Sequence, residues 1–350
     1  MAEKVTRRIV FFLGAGASFG AGSSTSVQGG GEIPIPTQDT FWETFFRFCR
    51  SRYNRFEIEG FLFRYFLNYG KTPSRATAIA RRKLLKPINV EEVFTFLSER
   101  NTAPGVTPQL RARTKKVWRA LIEEVGSVFS RFLPNRATRK TYKDFRKKHV
   151  RSHDTIVSFN YDTIFEHSLP TSFRWYYGAI DETHRSHALR VLKPHGSVNW
   201  QEIEGGITNK KKNFPRQPTI VAPTHLKFVG LGNQIEESEN DDERLVGYLN
   251  QSPQISEVWR LMENEMKEAK AWVFVGYSFP PSDLYFSSVL RSTIANRKSE
   301  PLIVIVNPDS MAISMRLQSR FMVSADKIKT YSDLQTFNQI TRHQLLSGAI

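Results

Sequence analysis

The sequence predicts an α/β protein, a Rossmann-like, doubly wound, mostly parallel sheet that carries a helical insertion subdomain. Three observations lead there. Four short apolar runs, at 9–13, 155–159, 272–276 and 302–306, are β-branched or aromatic and bounded by Gly, Asn or Pro, as buried parallel strands are. Residues 257–271 carry helical periodicity and feed directly into the run at 272, the alternation of a doubly wound sheet. Each run also ends in small or polar groups, where an open α/β sheet presents side chains to a ligand.

Taken in order, the run at 9–13 leads into Gly14-Ala15-Gly16-Ala17-Ser18, a tight turn into a helix start. Residues 23–31 (SSTSVQGGG) read as a loop by composition. From about residue 38 the texture becomes helical. Phe41, Phe45 and Phe48 share one face, and Val90, Val93, Phe94 and Leu97 follow a capping pattern at Asn89 and Glu92. Val117, Leu121, Val125, Val128 and Phe132 form a third stripe. All three stripes read as core faces. Residues 139–151 are a basic run on a solvated helix end, 219–222 is a weaker fifth strand, and 236–243 is an acidic exposed loop. The domain reading is a discontinuous core of 1–37 and 151–330, an insertion of 38–150, and a C-terminal segment of 331–350.

Composition sets outer limits. A chain of 350 residues with 40% hydrophobic content buries a sizeable core, and no apolar run approaches the ~20 residues that span a bilayer. Lys4, Arg7 and Arg8 before an apolar stretch imitate a secretion signal, but the stretch is short and reads better as a strand. The one cysteine, Cys49, excludes an intrachain disulfide and a multi-cysteine zinc site, and suits a reducing, cytoplasmic setting. A net charge of +16 favours anionic partners, a nucleotide before direct nucleic-acid binding, because no helix-turn-helix or zinc-finger pattern is present.

The chemistry sits at the strand ends. A strand closing on Gly14 and Gly16, with Ala15 between them, turns tightly into a helix N-terminus whose N–H groups favour a pyrophosphate, and Ser18 adds a hydroxyl. The six-residue dinucleotide fingerprint is not met, because Phe19 and Gly20 follow. Asn160 can donate to and accept from a ribose hydroxyl, a carboxamide or water, or serve only its own turn. Asp162 can cap the helix beginning near 163. His195, between Pro194 and Gly196, has the residue type of a general base near neutrality. Gly276, Ser278 and Asn307 end two strands where an adenosine would rest, and Tyr277, Phe279 and Asp283 can shape that site.

In that order these residues resemble the sirtuin superfamily. Residues 14–18 are similar to its first glycine motif, and Phe159-Asn160-Tyr161-Asp162 to its Gln-Asn-Ile-Asp. His195-Gly196 is similar to its catalytic His-Gly, Gly276-Tyr277-Ser278 to its Gly-Thr/Ser-Ser, and Val306-Asn307 to its Ile-Asn. The resemblance covers about residues 7–325. A single cysteine cannot build the four-cysteine zinc module of the deacetylating members. The Ser158-to-Asp162 spelling, the insertion with Asn89-Val90-Glu91-Glu92 and the stretch 222–227 are closer to the SIR2-like proteins of bacterial antiphage defence.

That resemblance implies NAD+ as substrate with no metal, hydrolysis to nicotinamide and ADP-ribose, and catalysis by Asn160 and His195. Gly14, Ala15, Gly16, Ser18, Asp162, Gly276, Ser278 and Asn307 would bind the dinucleotide. It also implies control by a trigger or partner, in related systems a separate ATPase or an Argonaute-like protein. A Phe-rich insertion offers area for a homo-oligomer, although self-packing explains the same residues. Two other readings stand beside hydrolysis: a deacylase or ADP-ribosyltransferase, which would need an acceptor, and a nucleotide-binding regulatory subunit without turnover.

Overall fold

The structure is a computed structural model that describes residues 8–26, 32–67, 83–181, 187–204, 206–210, 214–221, 252–280 and 283–347. In chain order the strands are β1 (Ile9–Leu13), β2 (Ser24–Ser26), β3 (Glu32–Pro34), β4 (Thr155–Ser158), β5 (Trp175–Tyr177) and β6 (Leu189–Leu192). They continue with β7 (Trp200–Ile203), β8 (Gly206–Asn209), β9 (Ala271–Val275), β10 (Leu302–Val306) and β11 (Ile328–Tyr331).

Seven of them form one sheet in the order β11-β10-β9-β1-β4-β6-β5, and every pairing in it is parallel. The four runs legible as strands are its contiguous centre. β1 and β9 are buried at every position, which explains why their sequences are continuously apolar rather than alternating. The order reverses around β1. The chain first moves to β4 and its neighbours on one side, then returns to β9 and β10 on the other. Such a switch point opens a crevice at the carboxyl ends of the strands.

The remaining strands pair as two hairpins, β2 with β3 and β7 with β8. Residues 24–26, read as loop, thus belong to a strand. Residues 219–221 do not form the expected fifth strand; Ile220 makes one isolated bridge to Gly196. The stretches 222–227 and 236–243 lie outside the described residues.

The insertion is helical, with helices Phe41–Phe48, Arg52–Tyr65, Val90–Thr102, Pro108–Phe129 and Arg136–His149. Asn89 caps the third of these by accepting from Glu91 N, and Thr107 caps the fourth, which has proline in its first turn. Its apolar stripes are buried as read: Phe45, Val93, Leu97, Val117 and Leu121 are fully enclosed. Trp42 anchors the insertion internally, donating from Nε1 to the Ile88 carbonyl at 2.8 Å. The basic run lies on the Arg136–His149 helix, whose other face buries Tyr142 and Phe145.

The C-terminal residues pack onto the core. β11 is the sheet's edge, so the boundary drawn at residue 330 passes through a strand. Beyond it Arg342 grips the enclosed carboxylate of Asp154 through two nitrogens, at 2.6 and 2.9 Å. That same carboxylate accepts from Ile9 N at 2.9 Å and Arg151 N at 2.7 Å, fixing the start of β1. No helix among the described residues is long and apolar enough to cross a membrane.

Candidate functional site

Gly14 follows β1, Asn160 follows β4 by two residues, His195 follows β6 by three, Gly276 follows β9 and Asn307 follows β10. All of them line one cavity of about 450 Å³, together with Ala15, Gly16, Asp162 and Ser278. That volume is ordinary for a small-molecule site. Residues 160 and 195 therefore meet in the crevice that the turn at 14–16 opens.

The glycines work by shape. Gly276 adopts φ +61°, and a Cβ on it would lie 2.0 Å from Ala17 N; one on Gly14 would lie 2.6 Å from the Gly276 carbonyl oxygen. The turns after β1 and β9 are thus in backbone contact, which only glycine permits. Gly14 N donates to Val275 O and Gly16 N to Gly276 O, each at 3.0 Å. Neither amide is available to a pyrophosphate, contrary to expectation. The Ala15 amide, on an exposed residue of the cavity lining, is the turn's remaining donor.

Asn160 is held from behind. Its Nδ2 donates to Gly14 O at 2.9 Å and to Ser18 Oγ at 3.3 Å, so the amide is oriented and Oδ1 is its remaining acceptor. Ser18 is buried and lies one layer back, where its hydroxyl bonds the Asp162 carboxylate at 3.3 Å. It braces the site from that position rather than lining it. Asp162 accepts from Ile164 N at 2.9 Å from one residue before the cap position, which Thr163 occupies in place of the Asp162 cap read from sequence. Burial pushes its pKa up to about 6, opposed chiefly by the Lys193 ammonium and the Ile164 amide.

Lys193 is a residue that sequence reading missed. It is wholly buried, pairs with Glu166 at 3.2 Å and also donates to the Asp162 backbone carbonyl. Tyr177 completes the cluster by donating to Glu166 at 3.1 Å. The result ties the segment carrying Asn160 to the segment carrying His195. Nothing in a single Lys before Pro194 signals that burial.

His195 lies in an aromatic setting, its ring centroid 5.0 Å from Phe159 and 6.1 Å from Trp259. The loop is fixed on both sides: Val221 N donates to His195 O at 2.9 Å, and Trp259 Nε1 to Pro194 O at 3.1 Å. Gly196 has φ +76°, and a Cβ there would meet Thr219 O at 2.2 Å, so the glycine is obligatory. Nε2 of His195 stands 4.0 Å from Asp283 Oδ2. Asp283 is itself positioned, accepting from Tyr277 Oη at 2.6 Å and from Phe286 N at 3.3 Å as the cap of the Leu284–Ala295 helix. Burial, then the Asp283 charge, pushes the Tyr277 phenol well above its usual range, so it stays a donor at neutral pH.

At the far end Ser278 is exposed in the lining, and Asn307 Oδ1 accepts from Asp309 N at 3.0 Å. Asp309, not singled out in the sequence, adds an exposed carboxylate there. The opposite wall comes from the insertion: Val90, Glu91, Phe94, Val125 and Phe129 line the cavity, although the stripes that hold Val90, Phe94 and Val125 read as core alone. Five carboxylates (Asp39, Glu91, Asp162, Asp283, Asp309) line it, and no lysine or arginine does so among the described residues. The net charge of +16 is therefore carried elsewhere.

Residues 154–325 match the profile of the SIR2-like domain family. The match takes in Asn160, His195, Gly276 and Asn307, while the glycine turn at 14–16 precedes it. It supports a place in the sirtuin-like superfamily and an NAD-related activity. Among matching solved structures is a histidine-to-asparagine variant of a Sir2 homologue in complex with ADP-ribose. It is 15% identical, with 98% of this chain and 92% of that one covered, at a TM-score of 0.35. No curated protein matches the chain.

Proposed function

We propose that the protein is an NAD+ hydrolase that cuts the bond between nicotinamide and ribose, releasing nicotinamide and ADP-ribose. The observation that carries this reading is the convergence of Asn160 and His195 on one carboxylate-lined cavity beside the glycine turn. The leaving group is a cationic pyridinium, and positive charge grows on the ribose as the C–N bond breaks. Fixed carboxylates such as Asp283 and Glu91 stabilise charge of that sign, and no lysine or arginine among the described lining residues opposes it.

In this reading Asn160 Oδ1 accepts a hydrogen bond from the attacking water or a ribose hydroxyl and orients it. Water oxygen bonds to the ribose carbon, the electron pair of the broken bond stays on the nicotinamide nitrogen, and the water proton passes to His195. A positioned base of this kind contributes roughly 100- to 10,000-fold. Asp283 orients the imidazole, and Tyr277 holds Asp283. The Ala15 amide, Ser278, Asn307 and Asp309 would receive the pyrophosphate and adenosine end. We further propose that turnover serves cytoplasmic antiphage defence by depleting NAD+, released by a trigger or partner.

The test is incubation of purified protein with NAD+, with and without candidate acceptors, and chromatography of nicotinamide and ADP-ribose. Release with water alone supports hydrolysis. Release that requires an acceptor supports a transferase instead, and NAD+ binding without release under every condition supports a regulatory subunit.

A further inference from the structure

The Pro108–Phe129 helix carries a half-buried row of cations whose chemistry the cleft does not use. Along it runs a groove of about 620 Å³ lined by Arg111, Lys115, Lys116 and Arg119, with Glu123 as the one acid of its lining among the described residues; Lys116 also pairs with Glu57 of the neighbouring helix at 3.0 Å. Arg111, Lys115 and Arg119 follow one another at steps of four residues, so their charges climb the helix by ~6 Å each. Such a row can meet successive phosphates of an extended strand. The groove continues past Glu123 into a depression of about 750 Å³ that adds Arg50, Arg131 and Arg216. The acids there are already engaged. Glu123 pairs with Arg216 at 2.6 Å, and Glu124 accepts from the amides of Arg50 and Ser51 at 2.7 and 3.1 Å.

Beside this row the Arg52–Tyr65 helix presents two large aromatics to solvent. Tyr53 is 59% exposed and Phe56 70% exposed, three residues apart on one helix. Lys116 Nζ sits 4.6 Å from the centroid of Tyr53, which joins the aromatic platform to the charged row. A phosphate-spaced line of cations with adjacent exposed rings is the arrangement that holds single-stranded nucleic acid, phosphates on the charges and bases stacked on the rings. A duplex would keep its bases from the rings, and an acidic peptide would leave them without a planar partner.

We propose that this groove binds single-stranded DNA or RNA without strong sequence preference. The helix that carries it ends in Val125 and Phe129 of the cleft wall, so the strand would rest on an element that also borders the cavity. Binding here is independent of the reaction proposed for the cleft.

The experiment is fluorescence anisotropy of the full chain with labelled 20-nucleotide single strands of DNA and RNA between 50 and 200 mM salt. Three to four phosphate contacts predict a slope of about −2 to −3 for log K against log salt. The triple variant Arg111→Glu, Lys115→Glu, Arg119→Glu should bind at least tenfold more weakly, with the slope reduced by about 2. The variant Lys140→Glu, Lys143→Glu, Lys147→Glu, on the exposed face of another helix, should stay within twofold and so controls for net charge. Tyr53→Ala with Phe56→Ala should weaken strands at least fivefold, yet leave inorganic polyphosphate binding unchanged. The proposal is overturned by no binding at 50 mM salt, or by equal losses in the two triple variants. It is also overturned if polyglutamate displaces the strand as well as unlabelled strand does, which would mark an acidic protein surface as the ligand.

Discussion

Replacing Asn160 with alanine separates structural from chemical work in the cleft. The change removes donors to Gly14 O and Ser18 Oγ, but neither acceptor is orphaned: Gly14 O keeps the Ala17 amide at 2.9 Å and Ser18 keeps Asp162. Two lost bonds with no stranded partner cost about 1–2 kcal/mol. Against the low end of ordinary stability, about 5 kcal/mol, at least 3 kcal/mol remains and more than ~99% of molecules stay folded. Unfolding therefore accounts for a loss of about one per cent in activity. If Oδ1 orients the nucleophile, nicotinamide release should fall at least ~100-fold. Ser18→Ala is the comparator, because it disturbs the same brace from behind the wall and should cost about 1 kcal/mol with less than ~5-fold loss of turnover. Release rates and denaturant curves on both variants decide the matter. Turnover within threefold of wild type in Asn160→Ala, or an equal loss in Ser18→Ala, refutes the assignment.

His195→Gln should lower nicotinamide release by about 100-fold or more while its melting temperature stays near wild type; a fold-preserving variant with full turnover removes the general base. Gly276→Ala forces a left-handed backbone and a 2.0 Å approach to Ala17 N, so denaturant unfolding should show a loss of about 2–4 kcal/mol, and wild-type stability would mean the turns are free to part. His149 is buried against Phe337, and burial pushes its pKa down to about 3, with Lys148, Arg151 and Arg342 adding to the effect and the Phe337 backbone opposing it. Because the unfolded chain takes up a proton near pH 6.5 and the folded one does not, stability falls as pH drops below that value. At pH 5 the site should cost about 2 kcal/mol relative to pH 7.5. The pH dependence of His149→Leu should lack that increment; parallel curves for the two proteins would contradict it.

The centre of the sheet was legible because β1, β4, β9 and β10 are enclosed and so written in continuous apolar runs. β6 carries Arg190, which pairs with Glu265, and β11 alternates Lys329 and Thr330 at the sheet edge; both patterns hide a strand from a search for apolar runs. The candidate residues Gly14, Asn160, Gly276 and Asn307 were legible for a related reason, since each follows a recognisable strand, whereas His195 follows the hidden β6 and was read only from its setting between Pro194 and Gly196. What escaped depends on contacts across the chain. The fit of Gly276 against Gly16 and Ala17 joins loops some 260 residues apart, and the burial of Lys193 beside Glu166 leaves no local mark. Val90, Phe94 and Val125 belong to stripes whose period states only that a face is covered, not whether neighbours or a cavity cover it.

The interlocked turns after β1 and β9 have a mechanical consequence. With no room for even a methyl group between them, they move as one anvil anchored in the central strands. Widening or narrowing of the cleft then falls to its other walls, among them the facing jaw made by the helices of the insertion. Mutations that loosen that jaw should alter substrate entry long before they disturb the residues that do the chemistry.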